Sequence, residues 1–199
     1  DEGLNSFVQY LAEQEWERNF PSRGGNAYKI TGYMKGDKKN ISPIMTNSES
    51  IHQFGNNAYS KPATALNILR ETVMGRELFD YAFKEYSRRW AFKHPSPSDF
   101  FRTMEDASGM DLDWFWRGWF YTTDHVDISI ENVSQYQAGT PMDIKSDKKI
   151  AQTEQKEYIS DIRNKEAFKT RVEKNPELAD FYNTYDPLEV TDEDKASDK

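Results

Sequence analysis

The chain has 199 residues, a formal net charge of -8 and no cysteine. The charge argues against nucleic acid as a partner, because phosphate contacts need a basic face. Zero cysteine excludes disulfides, thiolate metal ligands and a cysteine nucleophile, and no apolar run is long enough to span a bilayer.

Glu2 to about Arg18 reads as the first helix, with Leu4, Phe7, Val8 and Leu11 at i, i+3, i+4 and i+7. Pro21 and Gly24-Gly25 are expected to end it. Residues 21 to 58 form a long polar connection, which is either functional or carries short helical pieces. A helix is expected from Lys61, with Ala65, Leu66, Leu69 and Val73 on one side and Gly75 as its stop. Phe79, Phe83, Tyr86 and Trp90 mark the next helix, broken by His94-Pro95-Ser96-Pro97. Ser98 is then the expected N-cap of a short helix ended by Gly109. Asp111 is expected to cap the aromatic stretch Leu112 to Tyr121. That stretch is apolar nearly all round, so a central helix is expected. Val126, Ile128 and Ile130 alternate with polar residues, which is a strand pattern.

All five Trp lie before residue 137, while the remainder is rich in Lys, Glu, Asp and Gln. Residues 1–137 can therefore build a core. Residues 138–199 read as a charged extension, partly helical, that builds none alone. Pro176 to Tyr182 is expected as a short helix, and residues 191–199 as disordered.

No H-E-x-x-H, G-x-S-x-G, phosphate-binding loop or dinucleotide fingerprint occurs. His52, His94 and His125 are far apart, and each reads as a surface or hydrogen-bonding residue. Glu2 read alone is an acidic residue complementing the positive end of a helix. Tyr59 read alone is a packing residue before a proline.

Three landmarks in order change this reading: Asp1-Glu2-Gly3-Leu4-Asn5, Tyr59-Ser60-Lys61-Pro62, and the stretch from Gly75 to Thr123. The last includes Arg88-Arg89-Trp90-Ala91-Phe92-Lys93-His94-Pro95 and Phe115-Trp116-Arg117-Gly118-Trp119-Phe120. Together they resemble the second half of the catalytic domain of aminopeptidase N-like zinc metallopeptidases, over roughly residues 1 to 135. The branch they resemble is that of large exported peptidases of Bacteroidetes-type bacteria, which favours a periplasmic or exported setting.

The resemblance implies a mainly α fold: the helical C-terminal subdomain of a thermolysin-like catalytic domain, with a short β segment near 126–136. It implies that Glu2 is a zinc ligand and that the Tyr59 hydroxyl stabilises the oxyanion of peptide hydrolysis. The two histidine ligands and the general base would come from an N-terminal remainder of the same protein. The intact enzyme would then use Zn2+ to remove residues from peptide N-termini, while this chain alone would be inactive and hold no stoichiometric zinc. The alternative is a non-catalytic helical module that binds peptides or acts as a scaffold.

Overall fold

The computed structural model describes residues 1–125, 132–134, 158–179 and 195. Among these the secondary structure is helical throughout. Helix α1 (Glu2–Trp16) begins at Asp1, whose carboxylate accepts the Glu2 N–H. It stops before the expected Arg18: the chain turns extended at Glu17, and Asn19 adopts a left-handed φ of 62°. The long connection carries short helical pieces, including 3-10 turns and α2 (Thr31–Met34).

The central helix starts earlier than the sequence suggests. It runs through π-helical Gly55–Ser60, α3 (Lys61–Ile68) and π-helical Leu69–Val73. Pro62 explains the first π segment. It has no N–H to give the carbonyl of Ala58, and its ring would crowd that carbonyl in an α-turn. The preceding turn is wound wider, and the Lys61 N–H reaches back five residues to Asn56.

Gly75, at φ 79°, makes the corner into α4 (Arg76–Trp90). The cap of α5 (Pro97–Ser108) is Ser96 rather than Ser98. Ser96 forms a reciprocal capping box with Asp99, which requires the cap three residues before the carboxylate. Gly109, left-handed at φ 68°, closes that helix as expected. The aromatic segment forms α6 (Asp113–Trp116) and π-helical Arg117–Tyr121. Asp111 does accept the Asp113 N–H, although the helix begins one residue later than expected. The segment is not buried all round: Phe115, Trp116 and Phe120 face the core, whereas Trp114 is 61% exposed.

The core contains an aromatic chain linking α1, α4, α5 and α6, packed with Ala63, Ala65, Leu66 and Leu69 of the central helix. Phe7 meets Phe79 edge-on at 5.4 Å, Phe79 stacks on Phe83 at 5.6 Å, and Phe83 reaches Phe100 at 6.3 Å. Phe100 contacts Trp116 at 5.8 Å, and Phe101 stacks on Trp116 at 4.6 Å. Edge-to-face and offset contacts of this kind add to the burial of large apolar area. The expected strand at 126–131 lies outside the described residues, and 132–134 are not in a strand.

Downstream, α7 (Ile159–Ala167) and α8 (Arg171–Lys174) lie against the helical body, followed by a 3-10 turn at Pro176–Leu178. The expected helix to Tyr182 is therefore a single tight turn within the described residues. The rest of that expectation, and the disorder expected from 191, fall outside them apart from Lys195. Arg18 holds this segment by donating through Nε and Nη2 to Glu173, at 2.6 and 2.7 Å, and to the carbonyls of Asn164 and Phe168. Tyr28 stacks on Tyr158 at 4.3 Å.

Candidate active site

Glu2 stands in the first turn of α1 with its side chain 38% exposed. A carboxylate there complements the positive helix end and is held on a 15-residue element. Gly3, next to it, is buried against the central helix. A Cβ built on Gly3 would lie 2.3 Å from Cγ of Pro62 and 3.3 Å from the Ala58 carbonyl oxygen. Only glycine permits this approach. The two short motifs, far apart in sequence, interlock here: the residue after Glu2 rests on the turn that carries Tyr59.

Glu2 borders a cleft of about 630 Å³. Its walls are mostly apolar, with Leu4, Leu66, Phe100, Phe101 and Phe120, and Ile44 and Met45 come from the long connection. Lys93 and His94, both exposed, line it as well. Ala58 and Pro62, on either side of Tyr59 in sequence, line the cleft, but Tyr59 does not. Its ring is 39% exposed and packs edge-on against Phe54 at 5.8 Å. The structure thus brings the Glu2 and Tyr59 segments into contact, while the Tyr59 ring is not part of the wall of this cleft.

As a metal ligand, Glu2 offers an accessible anionic oxygen on a stiff element, which suits zinc. Among the described residues no second and third His, Asp or Glu converge with it. The one such group that does converge is Glu105, Asp111 and Asp113. Two of these carboxylates are engaged in the α5–α6 turn: Glu105 accepts the Leu112 N–H and Asp111 the Asp113 N–H. His52, His94 and His125 are all exposed. By itself Glu2 offers one carboxylate ligand, fewer than the three protein ligands a catalytic zinc site uses.

The sequence reading missed the other face of the central helix. Asn57, Lys61, Thr64, Asn67 and Glu71 recur every three or four residues and are all buried. Lys61 is 1% exposed and its ammonium has no hydrogen-bond partner, so burial pushes its pKa below the ordinary lysine value. The Tyr33 hydroxyl donates to Asn57 Oδ1. The spacing of this polar stripe was visible in the sequence, but a polar stripe ordinarily marks the solvent side.

The description "Peptidase family M1 domain" matches residues 1–119. Among curated proteins, the glutamyl aminopeptidase of Sus scrofa is similar, at 28% identity over 118 residues, which is 56% of this chain. The match covers 12% of that protein's length. No solved structure matches the chain significantly.

Proposed function

This chain belongs to the peptidase family M1, and from that premise we propose that it is part of a zinc-dependent aminopeptidase, contributing one metal ligand and one oxyanion donor. The observation that carries the reading is the interlock at Gly3, which sets Glu2 beside the Tyr59 turn. Glu2 would hold zinc, which supplies Lewis acidity and an activated water. Tyr59 would donate its hydroxyl to the carbonyl oxygen as negative charge develops there. A donor aimed at developing charge lowers the barrier by a few kcal/mol, about 2.7–4 in measured cases. The substrate would be a peptide with a free N-terminus.

An N-terminal remainder of the same protein would complete this site. It would supply the histidine ligands and the general base, and it would cover the apolar cleft beside Glu2. Two features support this: among the described residues no second and third ligand converge with Glu2, and Phe100, Phe101 and Phe120 line the cleft that Glu2 borders. Residues 1–137 would then be the helical subdomain of the catalytic domain, with 138–199 following it.

The test uses the longer protein that carries this chain. Glu2→Ala should lose zinc together with activity. Tyr59→Phe should keep zinc and lose roughly 100- to 1000-fold in kcat with little change in KM. Stoichiometric zinc in Glu2→Ala would overturn the ligand assignment. An unchanged kcat in Tyr59→Phe would return Tyr59 to a packing role.

A further inference from the structure

The buried polar stripe faces away from Tyr59. Asn57 and Lys61, two residues to either side of Tyr59, are each 1% exposed whereas Tyr59 is 39% exposed, so they project on the side opposite to it. Any rotation of the central helix that reoriented Tyr59 would also displace the stripe. The stripe is tied down mainly at its far end. Asn67 Nδ2 donates to the Gly25 carbonyl at 3.1 Å and lies 3.5 Å from Ser160 Oγ. The buried Glu71 carboxylate accepts from Arg70 at 3.2 Å, from Arg76 at 3.0 and 3.1 Å, and from Arg163 at 2.8 Å. Arg163 also donates to the Glu71 backbone carbonyl, and Arg76 to Asn164 Oδ1 at 3.0 Å. Ser160, Arg163 and Asn164 all belong to α7, about 100 residues downstream of Tyr59 in sequence.

We propose that α7 is a positioning element for Tyr59: through Arg163 and Asn164 it locks Glu71, and with it the rotation of the 55–73 helix. Buried polar contacts are suited to this task. Apolar contacts tolerate sliding, whereas a buried carboxylate loses its partners when the register changes. The helix also has two compliant places, the π segments 55–60 and 69–73, where regular α bonding does not hold the turn. Tyr59 lies in the first and Glu71 in the second. Arg163 thus acts on one compliant end, and the register it fixes is transmitted through rigid α3 to the other. The inference rests on the reading of Tyr59 given above, and its test separates the two.

In the 199-residue chain, amide exchange is measured for residues 57–61 and, as an internal reference, for 79–83 of α4. Arg163→Met should speed exchange at 57–61 by roughly tenfold and leave the reference unchanged, as expected for a sub-global opening. Arg163→Lys should restore protection, because it returns a cationic donor from α7 to Glu71, beside those of Arg70 and Arg76. Asn164→Ala, a milder change, should give a smaller effect in the same direction. Equal acceleration in both regions, or none at 57–61, overturns the proposal. In the longer protein, Arg163→Met should lower kcat by about tenfold or more, since small misplacements of a catalytic group are expensive. The same substitution in a Tyr59→Phe background should cost nothing further. An equal loss in that background overturns the route through Tyr59. If Tyr59→Phe alone leaves kcat unchanged, the functional reading fails, and exchange at 57–61 alone decides the positioning role.

Discussion

Gly3→Ala probes the contact that joins the two candidate site segments. The new Cβ would sit 2.3 Å from Pro62 Cγ and 2.6 Å from Pro62 Cβ. An ordinary carbon contact is about 3.5 Å, so α1 and the central helix must separate by roughly 1.2 Å at this point. Neither side yields easily, because Pro62 is a rigid ring on a buried helix and Gly3 is in the first turn of α1. Overpacking of this kind costs roughly 1–3 kcal/mol, and the rigid ring argues for the upper part. Alanine's better helix propensity returns up to about 1 kcal/mol. The net expectation is a loss of about 2 kcal/mol. At about 2–4 °C per kcal/mol for a chain of this size, Tm should fall by roughly 4–8 °C. Gly118→Ala is the control: no atom lies within 4 Å of its built Cβ, so propensity alone should act and Tm should rise slightly. Thermal unfolding of the three proteins, followed by circular dichroism at 222 nm, makes the comparison. If Gly3→Ala melts at or above the wild-type temperature, the close approach of Glu2 to the Tyr59 turn is wrong.

Lys61→Met should raise stability at neutral pH by about 1–3 kcal/mol, the cost of a buried group without a partner. Its advantage should shrink at alkaline pH. Because Lys61 holds its proton less tightly when folded, wild-type stability rises as pH climbs from that depressed pKa toward 10.5; chemical denaturation at pH 7 and 10 would show an unchanging difference if the side chain were solvated. Arg18 and Thr170 hold the Glu173 pKa down to about 2. Its contribution to docking residues 158–179 is therefore full above the unfolded value of 4.5 and is lost as pH falls toward 2. Arg18→Gln should remove this acid dependence from limited proteolysis of the segment, and an unaltered pH profile would contradict the clasp. Phe79→Ala should cost about 3–5 kcal/mol, because a fully buried ring linking α1 to α4 is lost; a denaturant midpoint near wild type would deny it that central place. The isolated chain should bind zinc no better than other acidic proteins, and a submicromolar stoichiometric site by calorimetry would contradict a single-ligand role for Glu2.

The sequence by itself determined the class of structure and the family. Helical periodicity at Leu4, Phe7 and Leu11, and at Phe79, Phe83 and Tyr86, reports which face is apolar, although Val8, read on the same face, is 44% exposed, and local stops such as Gly75 and Gly109 act through their own backbone conformation. The short contiguous motifs around Glu2 and Tyr59 carry the family resemblance and are legible for the same reason. Cap positions were read one or two residues out because several nearby side chains could serve, and geometry chose Ser96. Only the tertiary structure decided what covers the polar faces. Asn57, Lys61, Asn67 and Glu71 are indistinguishable in sequence from a solvated stripe, yet all are buried, and Asn57, Asn67 and Glu71 meet partners from distant segments: Tyr33, Gly25 and Arg163. The pairing of Arg18 with Glu173 and of Arg163 with Glu71 spans 155 and 92 residues. No local pattern encodes such partners, because any of many acidic side chains satisfies an arginine until packing brings one of them within reach.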